Sequence, residues 1–367
     1  MLPDLVICDL KINPPIIQGG MGVGVSLSGL ASAVANEGGI GVISATGIGM
    51  HESDFEADFM GANTRVLQLE IDRAKEMTDG IIGVNLMVAL SDYYDLFQVA
   101  FDKKVDMVFL GAGLPLKIPK GISLDRLKSG VTKCVPIVSS GRAANIIFKT
   151  WAKNYDHVPD AVIVEGPLAG GHLGFKAGQI ADPEYSLENL VPEVIDTLKT
   201  YEDRFQKNIP VIAAGGIFTG ADIYKFIQLG ASGVQMGTRF VTTDECDASI
   251  KFKEAYIECR ESDLMIIKSP VGLPGRAIRN KFLDDVAAGI KQTFTCPCKC
   301  LITCDFQNAP YCIALALTNA KMGNLDKGFV FAGTNAFRTE SIVPVKELIA
   351  TLTDEYIRAS GNAGCQG

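Results

Sequence analysis

Two glycine-ended apolar runs in the second half of the chain have the spacing of a phosphate site. The first, Ile209 to Ala213, stops at Gly215 and Gly216, and Gly220 and Ala221 open a helix; the second, Gly233 to Met236, stops at Gly237 followed by Thr238. Glycines let the backbone approach an anion closely and turn N–H groups toward it, while a helix N-terminus behind them adds a favourable dipole. Both turns face the same end of a parallel sheet. In (β/α)8 barrels the loops after strands seven and eight make such a site, so the expected ligand is a phosphorylated small molecule.

A proton-transfer group is expected nearby. His172 lies in AGGHLG, on a glycine-rich loop after the sixth apolar run. An imidazole with an unperturbed pKa near ~6.5 suits proton transfer at neutral pH. His51 and His157 lack such surroundings and read as surface or loop histidines. A third chemistry is suggested by Cys296, Cys298, Cys300, Cys304 and Cys312, half of the ten cysteines within seventeen residues. Soft thiolates at this density bind zinc or an iron–sulfur cluster. The C-x-C-x-C-x3-C spacing matches neither the paired knuckles of common zinc sites nor a ferredoxin run. Metal binding, a reduced cysteine-rich lid and redox-active disulfides therefore stay open, and no metal ligand is assigned.

These groups need a scaffold, and the chain supplies β-like runs alternating with helical patterns. Strands are expected at Pro14 to Gln18, Gly41 to Ser44, Ile81 to Met87, Val105 to Leu110, Pro136 to Ser139 and Ala161 to Val164, followed by the two phosphate-site runs. Helices are expected near Leu27 to Glu37, Thr64 to Thr78, Ser91 to Phe101 and Ala143 to Ala152. The runs are short, apolar on both faces and rich in Val and Ile, as a parallel sheet covered on both sides requires. The expected fold is an α/β TIM barrel with a partly helical lid inserted after strand eight. Its parts are a ligand-binding β/α barrel of strands one to eight over residues 1–262, a cysteine-rich lid over 263–325, a return segment with the closing helix over 326–358, and a frayed tail over 359–367.

Composition narrows the function classes. With 367 residues, 47% hydrophobic content, 21% charged residues and a net charge of −8, the chain has the make-up of a soluble globular protein. The acidic balance argues against a nucleic-acid surface, which needs clustered Lys and Arg. No run approaches the ~18 apolar residues of a membrane span, and the N-terminus lacks a signal-peptide pattern, so a cytoplasmic location with reduced thiols is expected. The partner expected is a small-molecule substrate, with no nucleic acid and no membrane; the oligomeric state stays open.

Five segments taken in order resemble the nitronate monooxygenase family, formerly called 2-nitropropane dioxygenases, which also includes flavin-type enoyl-acyl-carrier-protein reductases and NADH:quinone reductases. They are PIIQGGMGVGVS near the start, GVNLM at 83–87, VEGPLAGGHLGF at 164–175, PVIAAGGI at 210–217 and GVQMGTRF at 233–240, with a weaker echo at FVFAGTNAF. The resemblance spans roughly residues 10–260 and implies FMN at the C-terminal mouth of the barrel. It implies that Gly20, Met21 and Gly22 line the isoalloxazine edge, with Gly171 also against the cofactor. It implies that Asn85, and by analogy Gln235, bond the pyrimidine part of the ring. Gly215, Gly216, Gly237 and Thr238 would hold the phosphate, with Ser139 as an auxiliary hydroxyl, and His172 would act on substrate. Glu165 is either a partner of His172 or a flavin-contacting acid, or else it caps a strand end. In SPVGLPGRAIRN, Arg276 and Arg279 either face an anion or are solvated structural arginines.

Three functions follow from these readings. The first is oxidation of an alkyl nitronate by O2 on FMN, releasing nitrite and a carbonyl product. The second is an FMN reductase that takes electrons from NAD(P)H and passes hydride to an enoyl thioester or a quinone. The third, a non-flavin barrel such as a sugar-phosphate isomerase, is excluded by a yellow protein. Residues 264–325 depart from the family's pattern, and a lid of this kind sets the substrate.

Overall fold

All eight apolar runs of the barrel reading are strands, and the sheet they form closes on itself. The computed structural model describes residues 2–296 and 298–363. An antiparallel hairpin, β1 (Leu5–Ile7) and β2 (Leu10–Ile12), precedes the barrel strands β3 (Ile16–Gln18), β4 (Gly41–Ser44), β5 (Ile82–Met87), β6 (Met107–Gly111), β7 (Lys133–Val138) and β8 (Val162–Glu165). After the two-residue β9 (Gly171–His172), the barrel resumes with β10 (Val211–Ala214) and β11 (Gly233–Met236). The barrel strands pair in parallel, in the order β3-β11-β10-β8-β7-β6-β5-β4, and a parallel bridge from Ile17 to Ile40 joins the two ends.

Strand periodicity decides what faces inward. Ile17, Val42, Phe109, Val135, Ile163 and Ile212 fill the barrel interior, while Ile16, Val84, Val108, Val162, Val211 and Val234 pack outward against the helices. Leu5, Ile7 and Ile12 of the hairpin join the interior cluster and plug its N-terminal end. The open end is therefore the C-terminal one. Burying each such side chain is worth roughly 1.5–3 kcal/mol, and a one-residue slip would turn a whole strand's set outward, so the register is strongly fixed.

Beyond β11, β12 (Leu264–Lys268) and β13 (Pro274–Ile278) form an antiparallel pair that β9 extends, with Gly275 opposite His172 and Arg276 opposite Gly171. This small sheet stands at the barrel rim. The helices Lys281–Ala287 and Ile313–Lys321 flank a stretch without helix, and the closing helix is Val345–Ala363. The expected tail is thus corrected in part: residues 359–363 continue the helix, and 364–367 lie outside the described residues. Elements absent from the sequence reading include the hairpin, the short helices Leu124–Lys128 and Lys281–Ala287, the long helix Leu187–Phe205 between β9 and β10, and the small sheet of β9, β12 and β13. No helix among the described residues is long and apolar enough to cross a membrane.

Candidate active site

The last inward-facing residues of the strands make the floor of a cavity of about 350 Å³ at the C-terminal end. Ser44, Asn85, Gly111, Glu165, Ala214 and Gln235 lie there; Ser44 pairs with Asn85, Ala214 with both Glu165 and Gln235, and Gly111 with Met87, two residues beyond Asn85. Gly20, Met21, Gly22, Gly171, His172, Gly215, Gly216, Gly237 and Thr238 line the walls of the same cavity. Ser139 does not line it; its hydroxyl donates to the Gly174 carbonyl at 3.1 Å and secures the loop after β9. His51 and His157 lie away from this cavity, and His157 is instead near the barrel's other end, beside Cys8 and Asp160.

One end of the cavity has the chemistry of an anion cradle. Gly215 and Gly216 have φ of +94° and +84°, a conformation that L side chains rarely adopt. Gly237 differs: its φ is −108°, and a Cβ built there meets nothing nearer than Met21 Sδ at 4.0 Å. Among the described residues, the amides of Gly216, Ile217, Gly237 and Thr238 have no hydrogen-bond acceptor within the protein. Thr46 Oγ1, also on the cavity wall, is buried without a partner. The helix Gly220–Gln228 departs from expectation, because its N-terminus is already satisfied. Asp222 accepts from the amides of Phe218 and Thr219, and Glu355 from that of Gly220 at 2.7 Å. Two carboxylates thus occupy the helix end assigned to the phosphate, which leaves the glycine turns themselves as the cradle. A phosphate fits these free amides, and the polar floor fits the edge of a flat heterocycle.

His172 is placed on the rim by the β9–β13 pairing. Its Nε2 lies 2.8 Å from Ser269 Oγ, and its ring meets Phe331 edge-on with centroids 5.1 Å apart. Burial lowers its pKa to about 4, so the ring is neutral at physiological pH. The expectation of an unperturbed imidazole is thereby corrected: water is excluded from the charged form, and no carboxylate compensates. Burial acts oppositely on Glu165, raising its carboxyl to about 7. Arg276 is not solvated. Nearly buried, it donates through Nη1 to the carbonyls of Pro167 at 2.8 Å and Ala169, tying the loop that carries AGGH to β13, and burial lowers it to about 10. Arg279 is exposed and pairs with Asp284 at 2.8 Å.

The upper wall is largely apolar. Phe252, Tyr256, Leu301, Ile313, Leu317 and Phe331 close the cavity from the segments after β11. Sequence reasoning missed them because nothing local distinguishes a roof residue from a core residue. The echo at FVFAGTNAF was the available signal, for Gly333, Thr334 and Asn335 also line the cavity, and Asn335 donates to the Gly216 carbonyl at 2.6 Å. Cys300 and Cys312 immediately precede the roof residues Leu301 and Ile313. The five lid cysteines are half-buried free thiols, and among the described residues no three His, Cys, Asp or Glu groups stand where they could hold a metal. Cys298 is lowered to about 7 chiefly by hydrogen bonding from Cys300, while Cys300 is raised by the same pairing and by burial.

Comparison with known proteins agrees with this geometry. The family profile described as "Nitronate monooxygenase" matches residues 5–355. A "Probable nitronate monooxygenase" of Staphylococcus aureus is 31% identical over 303 residues, covering 76% of this chain and 79% of that protein. The structure of FabK from Thermotoga maritima is similar with a TM-score of 0.73 and 29% identity, over 96% of this chain and 95% of that one. A nitroalkane oxidase from Streptomyces ansochromogenes shares the fold, with a TM-score of 0.72 at 23% identity over 96% of this chain and 98% of the other.

Proposed function

The chain belongs to the nitronate monooxygenase family, a family of oxidoreductases, and from that premise we propose that it is FMN-dependent and oxidises alkyl nitronates with O2. The free amides of Gly216, Ile217, Gly237 and Thr238 would hold the FMN phosphate, and Gly20, Met21, Gly22 and Gly171 would leave room for the ring. Asn85 and Gln235 carry amides that both donate and accept, as a pyrimidine edge with alternating carbonyl and N–H groups requires. When bound, FMN supplies the electron-transfer chemistry and the reaction with oxygen.

The observation that carries the nitronate reading is His172, held at the rim by Ser269 and packed edge-on against Phe331, where burial favours the neutral ring. A nitronate has already lost its α-proton, so its enzyme needs a group that orients an anion rather than a strong base. A neutral imidazole with one nitrogen engaged can offer the other to a nitronate oxygen, and a pKa of about 4 keeps it from holding a proton that competes. The apolar roof would shield a bound substrate from water, which strengthens each such hydrogen bond.

A second reading, an NAD(P)H-dependent reductase of enoyl thioesters or quinones, is favoured by the same roof, since Leu301, Ile313 and Leu317 suit an acyl chain or a quinone ring. Anaerobic mixing separates the two. The nitronate reading expects propionate 3-nitronate with O2 to release nitrite and NAD(P)H to leave the flavin oxidised. Rapid bleaching by NAD(P)H, with turnover of crotonyl thioester or quinone and none of the nitronate, would replace it with the reductase reading.

A further inference from the structure

Two of the lid cysteines flank a turn that the barrel chemistry does not use. Between Cys298 and Cys300, Lys299 takes a left-handed backbone with φ +46°. In a strand the residues on either side of it would stand about 6.6 Å apart, close to the upper limit for a disulfide. A left-handed centre folds the chain back and brings its neighbours nearer, into the roughly 4.4–6.8 Å that a disulfide spans. The Cys300 thiol already donates to the Cys298 sulfur. A lysine rarely adopts such a backbone, and the loop after β5 holds it there. Ser91 donates through its amide to the Cys300 carbonyl at 3.0 Å and through Oγ to the Lys299 carbonyl, and the Ile302 amide donates to Ala89 at 2.9 Å. Leu301, the roof residue among these bonds, bridges to Leu90.

The two sulfurs differ as a nucleophile and its resolving partner do. The bond from Cys300 lowers Cys298 to about 7, whereas the same pairing and burial raise Cys300, so thiolate at neutral pH collects on Cys298. Burial raises Cys304 and Cys312, which makes them poorer nucleophiles. We propose that Cys298 and Cys300 are a redox-active pair that a low-molecular-weight disulfide oxidises to an intramolecular disulfide, and that the new link shifts Leu301 in the roof. The Cys298 thiolate attacks one sulfur of the small disulfide; a mixed disulfide forms, and the first small thiolate leaves and takes up the proton that Cys298 had released. Cys300 then loses its proton, attacks the Cys298 sulfur and expels the second small thiolate, which takes that proton. Two protein thiols are oxidised, and one small disulfide is reduced to two thiols. Closing the link draws the sulfurs from contact to about 2.05 Å, which pulls the Cys300 backbone away from Ser91 and carries Leu301 with it.

The test treats the full-length protein with oxidised glutathione at pH 7, blocks the remaining thiols and maps the products by peptide mass spectrometry. Wild type should lose two thiols to a Cys298–Cys300 disulfide and retain no glutathione on either. Cys300→Ser should stop at a mixed disulfide on Cys298, and in Cys298→Ser the reaction at Cys300 should slow at least about tenfold. Glutathione lodged on the other lid cysteines in place of Cys298, or a stable adduct on Cys298 in wild type, would overturn the pair. If the variants do not fold, wild type decides: iodoacetamide at pH 7 should label Cys298 at least about tenfold faster than Cys300, and equal rates would overturn the assignment. Hydrogen exchange reads the roof. In the oxidised protein the amides of Ser91 and Ile302 should exchange roughly twofold to tenfold faster, as the loss of one hydrogen bond each requires, and unchanged exchange would overturn the link to Leu301.

Discussion

Gly237→Val separates a ligand-binding glycine from a structural one. At φ −108° the backbone accepts any L-residue, and the nearest atom to a new Cβ is Met21 Sδ at 4.0 Å. The protein itself therefore has little objection, and stability should change by less than about 1 kcal/mol, the ordinary range for a substitution that breaks no contact. The new isopropyl group would stand where a phosphate meets the amides of Gly237 and Thr238. Hydrogen bonds to charged groups contribute roughly 1.5–3 kcal/mol each. Losing two of them amounts to about 3–6 kcal/mol, or a Kd weakened roughly 10²- to 10⁴-fold. Urea unfolding of the flavin-free protein and fluorescence titration with FMN read the two effects separately. A variant that binds FMN with wild-type affinity, or one that unfolds while a ligand-free pocket should tolerate it, would refute the phosphate assignment.

Gly216→Val should behave differently: at φ +84° its Cβ would lie 2.8 Å from Leu168 Cβ, so it should lose at least about 1–2 kcal/mol of fold stability in addition to FMN, as urea midpoints will show. His172→Ala should keep FMN and fold while kcat/KM falls roughly 10- to 150-fold, the ~1.5–3 kcal/mol of one hydrogen bond to a charged group, and undiminished turnover on the true substrate would make the residue structural. Because His172 is neutral above about pH 4, any kinetic limb near pH 7 should persist in His172→Ala and vanish in Glu165→Gln. Glu165→Gln should also stabilise the flavin-free fold. The native carboxyl, raised to about 7, binds more protons than the unfolded one between about pH 4.5 and 7, so wild-type stability falls as pH rises through that window. The variant should match wild type near pH 4.5 and exceed it by roughly 1–3 kcal/mol at pH 8; equal stabilities at both pH values would contradict the buried-acid account.

The barrel was legible because its strands are unbroken Val- and Ile-rich runs ended by glycine, a pattern that survives without tertiary context. Gly41–Ser44 and Gly233–Met236 match β4 and β11 residue for residue, whereas β7 starts at Lys133 and carries Pro136 within it, against the usual weight of proline in a strand. The glycines and His172 were legible from spacing, and they converge on one cavity. What local pattern does not encode is the environment. Only the fold shows that burial neutralises His172, that Asp222 and Glu355 already occupy the helix end behind Gly216, and that Ser139 serves the loop after β9. The roof was illegible for a related reason: Leu301 gains its place through its bridge to Leu90, more than 200 residues away, and Ile313 by packing with Ile267, Phe282 and Phe329 from other elements.

The central claim is that the barrel mouth is built around one mononucleotide phosphate, and identification of the flavin in purified protein tests it most directly. Heat-released cofactor, examined by absorbance and mass spectrometry, should be FMN at about one equivalent per chain, because the free amides form a single cradle and no dinucleotide-binding G-x-G-x-x-G follows the first barrel strand. Recovery of FAD, or of a folded colourless protein that cannot be reconstituted with FMN, would contradict it.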